Sequence, residues 1–206
     1  MATLHFSTPD DSEELARAEL YGLLANLYYA PPSGELHARL RAAATEAPIR
    51  EAFLERSWGE VVAASQRLSV EQIADEYAEL FLGIGRPEIF LYGSYYLAGT
   101  LNERPLVVLR DDLRELGLER PETIPETEDH IASLCEVMRY LIAGEDLETS
   151  NLTSQQHFYN AHLRGWIDAF CEALEAHPRA DFYRRVAMLT RDFAMVEAQG
   201  LDLLDA

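Results

Sequence analysis

The sequence predicts an all-α fold, a compact helical bundle, and three observations predict it. Apolar residues recur at spacings of three and four through most of the chain. Helix-start and helix-stop residues bracket those stretches. The one β-leaning run, Val107-Val108-Leu109, is too short and isolated to found a sheet. A length of 206 residues with 48% hydrophobic content is enough to bury a substantial core.

The first helix is expected from Ser12 to Tyr29. Acids open it, and Leu15, Leu20, Leu23, Leu24 and Leu27 line one stripe. Pro31-Pro32-Ser33-Gly34 stops it. A second helix is expected over Glu35–Ala47, and Pro48 starts a segment running to Trp58. Ser69 and Gln72 fit a capping box that launches a helix through Ile73, Tyr77, Leu80 and Phe81, ended by Gly83 and Gly85. Residues 83–100, "GIGRPEIFLYGSYYLAGT", read as a structured aromatic loop leading into a short helix over Ser94–Leu101. Pro105 suits the first turn of a helix ending at Gly117.

The acidic stretch "GLERPETIPETE", 117–128, contains two prolines and is the best hinge. The expected organisation is therefore an N-terminal sub-region 1–117, a hinge 118–126 and a C-terminal sub-region 127–206, together one domain. Three long amphipathic helices are expected beyond the hinge: Thr127–Ala143, Thr153–His177 and Arg179–Gln199. Thr153 and Gln156 offer another capping box.

Charge excludes several functions. Thirty-six acids against 17 bases leave −19, a field that repels nucleic-acid phosphates and anionic lipid and attracts a cationic partner. No stretch approaches the roughly 20 apolar residues of a membrane span, so no stable membrane insertion is expected. The start, "MATLHFSTPDDSEEL", has neither the basic nor the apolar region of a secretory signal, and the expected location is the cytoplasm. Cys135 and Cys171 lie in helical patterns and read as small buried residues.

Glu128, Asp129 and His130 stand where the hinge meets a helix. On a helix from Thr127, Ile131, Leu134, Met138 and Leu141 form the buried stripe, His130 borders it, and Asp129 is turned about 100° away. Acids in a first turn also have a purely local explanation in the helix dipole, so periodicity leaves docking and capping open. Glu126 and His130, four apart, could share a metal, yet no HExxH, second Glu-x-x-His or CxxC accompanies them. His157 and His162, five apart, diverge on a helix. No GxSxG or phosphate-loop motif occurs, and Gly83-Ile84-Gly85 lacks a third glycine. No metal, cofactor or reaction is nominated. Phe90, Tyr92, Tyr95 and Tyr96 crowd the loop, which either packs inward or receives a ligand.

Four stretches in succession resemble the TorD/DmsD/NarJ-type family of molybdoenzyme maturation chaperones. They are "DEYAELFLGIGRPEIFLYGSYYL" (75–97), "EDHIASLCEVMRYL" (128–141), "FYNAHLRGWIDAFCEALEAH" (158–177) and "DFYRRVAMLTRDFAMVE" (181–197). The resemblance spans about residues 15–197. It implies a cytoplasmic, non-catalytic, all-helical protein that binds the twin-arginine signal peptide, or the apo-form, of a redox enzyme. Export is then delayed until the molybdenum cofactor is inserted. The positions matching the family's binding residues are Tyr77, Leu80, Phe81, Tyr92, Ser94, Tyr96, Asp129 and His130. Tyrosine stands at 77, 92 and 96 where the family often has Trp, and the proline before its Asp-His is displaced to Pro125.

The chemistry of such a peptide fits these residues. Its guanidiniums call for carboxylates, which Asp129 with Glu126 and Glu128 can supply. Its apolar stretch calls for Leu80, Phe81 and the tyrosines. His130, with an ordinary pKa near 6.5, would orient Asp129 or tune the local charge. The alternatives are a NarJ-type chaperone for a non-exported molybdoenzyme and a nucleotide-binding or nucleotide-hydrolysing helical protein. The hinge would permit either a monomer or a domain-swapped dimer.

Overall fold

Ten α-helices and no strand form among residues 9–45, 54–83, 86–101, 103–121, 123–146 and 148–205, which the computed structural model describes. They are α1 (Pro9–Tyr29), α2 (Gly34–Ala42), α3 (Glu55–Arg67), α4 (Val70–Tyr77), α5 (Gly93–Ala98), α6 (Arg104–Glu115), α7 (Ile131–Ala143), α8 (Leu152–His162), α9 (Ile167–Ala176) and α10 (Phe182–Asp202). No helix among these residues is long and apolar enough to cross a membrane.

Local chemistry sets several starts. Ser33 Oγ accepts from Leu36 N at 3.1 Å and opens α2. The expected box at α4 is complete: Ser69 Oγ accepts from Gln72 N, and Gln72 Oε1 accepts from Ser69 N. The box expected at Thr153 is not used. Asn151, a stronger cap, accepts from Ser154 N at 3.0 Å and starts α8 at Leu152.

Other boundaries also differ from the sequence expectation. The chain leaves α2 at Ala42, because Ala43 is extended, whereas the helix start expected at Pro48 lies outside the described residues. The segment expected to stop near Trp58 continues as α3 to Arg67. After α4 the backbone widens into a π turn, Ala78–Leu82, closed where Gly83 adopts φ +38°; Gly85 lies outside the described residues.

The single helix expected over 153–177 is two. Between α8 and α9, Leu163 N and Arg164 N both donate to Tyr159 O, and the chain turns so that Trp166 is almost fully buried. Burying that indole outweighs helical continuity. The helix expected from Thr127 starts at Ile131, with His130 as its N-cap. The last helix starts at Phe182 instead of Arg179, because its first amides are capped by a carboxylate from α4.

That carboxylate is Glu76. It accepts from Asp181 N, Phe182 N and Tyr183 N at 2.8, 2.9 and 2.9 Å. Beside it Arg67 pairs in bidentate fashion with Asp181, both contacts at 2.7 Å. At the far side of the bundle Arg17 forks onto buried Glu197 at 2.6 and 2.9 Å, and Tyr21 donates to the same carboxylate. Around these ties lies one apolar cluster: Leu24, Leu27 and Tyr28 of α1, Leu134 and Met138 of α7, Phe170 and Leu174 of α9, and Phe182 and Val186 of α10. Helices from both sides of residues 118–126 thus share one core, with α1 packed along α7.

Candidate functional site

The aromatic loop and the Asp-His turn, far apart in sequence, are joined by an antiparallel bridge between Tyr92 and His130. Gly93 N donates to Asp129 O at 2.9 Å, and Ile131 N donates to Leu91 O at 2.8 Å. Asp129 strengthens the junction. Its Oδ2 accepts from Ser94 N at 2.9 Å and its Oδ1 from Thr127 Oγ1 at 2.6 Å. The carboxylate therefore holds the first turn of α5, with only 3% of the residue exposed. Because Asp129 precedes the helix, the helical-wheel angle expected for it does not apply.

His130 is equally buried. Its Nδ1 accepts from Ala132 N at 3.2 Å, so the ring is neutral and carries its proton on Nε2. Burial lowers its pKa to about 4, although Glu126 and Asp129 pull the other way. Tyr92 packs edge-on against the ring at 5.2 Å between centroids, and Tyr29 at 6.4 Å.

Tyr77, Leu80 and Phe81 sit in the core under this junction. The Tyr77 hydroxyl donates to Tyr28 O and Tyr29 O, and burial pushes its pKa up to about 12. Leu80 O accepts from Ile89 N at 2.9 Å, tying the loop back to the π turn. Ser94 is fully buried, and its Oγ has no hydrogen-bond partner among the described residues. It lines a cavity of about 160 Å³ together with Asp129, His162 and Trp166. Tyr96 stacks on Trp166 at 5.6 Å and donates to Phe90 O at 2.9 Å.

The predicted site residues are thus brought together, but most face inward. Tyr92, Tyr96, Glu126 and Glu128 remain partly exposed. Tyr92 donates to Glu126 through a short hydrogen bond; burial first and this carboxylate second push the phenol pKa up. Glu128 accepts from Arg110 Nε at 2.9 Å and from Arg120 Nε at 3.3 Å. Burial alone would raise its pKa, yet those two guanidiniums hold it below the usual carboxylate range.

Beside Glu128 runs a groove of about 550 Å³ that sequence reasoning did not foresee, its apolar wall formed by Tyr29, Leu113, Leu118, Ile124, Val137 and Tyr140. Tyr29 is 46% exposed while its neighbour Tyr28 is fully buried, a split that a Tyr-Tyr pair at a helix end could have signalled. No group of three or more His, Cys, Asp or Glu side chains able to hold a metal occurs among the described residues. Cys135 and Cys171 are buried, and burial pushes both thiol pKa values up.

Comparison with known proteins gives the chain a family. Residues 35–172, well over half of the chain, match the family model described as nitrate reductase delta subunit. The chain belongs to that family. Within the nitrate reductase delta subunit family, which unites the TorD- and NarJ-type maturation chaperones, several relatives align over nearly the whole chain. The chaperone protein TorD of Vibrio cholerae serotype O1 is 28% identical over 204 residues, covering 91% of this chain and 93% of that protein. The chaperone protein TorD of Colwellia psychrerythraea is 23% identical, covering 92% and 93%. The chaperone protein YcdY of Escherichia coli K12 is 28% identical over 176 residues, covering 82% and 87%. The family match contains the aromatic loop, the Asp-His turn and the groove wall from α6 and α7.

Proposed function

We propose that this maturation chaperone works in the cytoplasm, where it binds the twin-arginine signal peptide, the apo-form, or both, of a molybdenum-cofactor oxidoreductase. It aids cofactor insertion and delays export until the client is mature. The observation that carries this reading is the bridge between the aromatic loop and the Asp-His turn. It gathers the partly exposed carboxylates of Glu126, which accepts from Tyr92, and of Glu128, which lines an apolar groove with exposed tyrosines.

The roles divide by exposure. Tyr92, Tyr96, Glu126 and Glu128 meet the client. Tyr77, Leu80 and Phe81 support them from the core, while Ser94, Asp129 and His130 fix the loop in register. A carboxylate edge reads guanidinium better than ammonium, because two N–H donors match its two oxygens. Burial of the leader's apolar stretch then supplies most of the affinity.

Fluorescence anisotropy with a labelled twin-arginine leader tests the reading. Binding should weaken about tenfold when both arginines become lysines, consistent with a charge-assisted contact worth about 1.5 kcal/mol or more. Equal binding of the lysine version would falsify the carboxylate contact, and absence of binding would overturn signal-peptide recognition in favour of the apo-form. A second reading, assembly of a non-exported enzyme as a whole, draws on the same family match, whose description is that of a nitrate reductase delta subunit. Under that reading a leaderless apo-enzyme subunit would co-purify with the chain and compete with no leader peptide.

A further inference from the structure

Glu128 is held by two arginines of its own chain. Arg110, on α6, approaches Oε2 through Nε at 2.9 Å and Nη2 at 2.8 Å. Arg120, on the connection after α6, approaches Oε1 at 3.3 Å. The carboxylate is only 13% exposed, whereas the Arg110 and Arg120 side chains are 44% and 32% exposed. Arg120 also donates through Nη1 to Ile124 O, which folds its connection around the guanidinium. Leu118, Arg120, Pro121 and Ile124 of that connection form one wall of the 550 Å³ groove. The acceptor at the groove's edge is therefore already read by a pair of guanidiniums, and one of them belongs to the groove wall.

We propose that Arg110 and Arg120 are an internal stand-in for an arginine pair on the client, and that an arginine-bearing peptide with an apolar stretch docks in the groove by displacing Arg120 from Glu128. The inference rests on the proposed client class and adds where the leader lies and what it must displace. Exchanging one guanidinium for another on the same carboxylate changes little in net electrostatic energy. Affinity must then come from apolar contact with Tyr29, Leu118, Ile124, Val137 and Tyr140. Arginines alone, or an apolar stretch alone, would fail to open and fill the groove together. The −19 net charge keeps such a peptide near the surface while the exchange occurs.

The experiment uses the full chain and a synthetic leader carrying two arginines followed by an apolar stretch, compared with its two-lysine version. Removing the stand-in with Arg120→Ala should tighten binding of the arginine peptide about fivefold to tenfold. Glu128→Gln should abolish the preference for arginine over lysine. In the wild type, the Nε–H resonances of Arg110 and Arg120 should shift on peptide addition. Thermal unfolding of each variant checks that it folds. If the wild type prefers arginine but Arg120→Ala binds no tighter and the Arg120 resonance stays fixed, the displacement is overturned and the proposed function stands. If neither wild type nor Arg120→Ala binds the peptide, the displacement and the signal-peptide part of the proposed function are overturned together. If Arg120→Ala does not fold, Arg120→Gln and the resonance shift decide the same question.

Discussion

At the scale of single residues, His130 shows how burial sets chemistry. Its neutral ring caps α7 through Nδ1, and burial holds its pKa near 4 against an ordinary 6.5. Below pH 6.5 the unfolded chain takes up a proton that the folded ring refuses. The contribution is therefore complete above about 6.5, falls with pH, and levels off below about 4, a loss of about 3 kcal/mol. Burial lowers the His162 pKa too, against an opposing bond from Asp112, and adds in the same direction. His130→Asn, which keeps a side-chain acceptor at the cap but does not titrate, should flatten the urea-midpoint profile between pH 6.5 and 4. An unchanged slope would mean that His130 does not carry it. Asp129 teaches a related lesson: an acid that resembles a guanidinium acceptor in sequence spends its oxygens on Ser94 N and Thr127 Oγ1.

At the scale of elements, the decisive contact is between α5 and the turn before α9. A Cβ added at Gly93 would lie 3.0 Å from the Trp166 indole, and that indole is stacked under Tyr96. Gly93→Ala must therefore push the ring or the loop aside. Overpacking of this kind costs about 1–3 kcal/mol. The variant should lose that much in urea unfolding and show altered tryptophan emission; wild-type stability with wild-type emission would argue that the loop yields freely. The break between α8 and α9 exists for the same indole. Periodicity at 153–177 continues across it, because Phe158, Trp166, Phe170 and Leu174 are all core residues. An apolar pattern reports burial, and a turn that keeps its residues buried leaves that pattern intact.

At the scale of the molecule, α4 and α10 are fastened by Glu76, one carboxylate serving three amides at a buried helix start. Glu76→Ala would leave those donors without an acceptor, a cost of about 3 kcal/mol. Hydrogen exchange at Asp181, Phe182 and Tyr183 should accelerate together with the fall in stability. Slow exchange in the variant would show that another group takes over the cap. Because the fastening crosses from the first half of the chain to the second, loosening it weakens the shared core as a whole. The bundle and the Ser69 box were legible from neighbours within one or two turns of each other, and the family resemblance from a succession of longer motifs between residues 75 and 197. The candidate residues were legible as a set, but which of them face solvent was not.

Spacing and composition dictate locally the all-helical class, the aromatic loop, a helix start close to Asp129 and His130, and the acidic field. Tertiary structure alone decided which acid is reachable. Asp129 turns inward because the amide it serves, Ser94 N, comes from another element. Glu128 stays at the edge, held by Arg110 and Arg120. The groove beside it likewise exists only once α1, α7 and the connection after α6 are assembled. The physical reason is common to all three. Helical periodicity records which face a residue shares with its near neighbours, whereas a charged group's partner is set by which distant segments the core brings together.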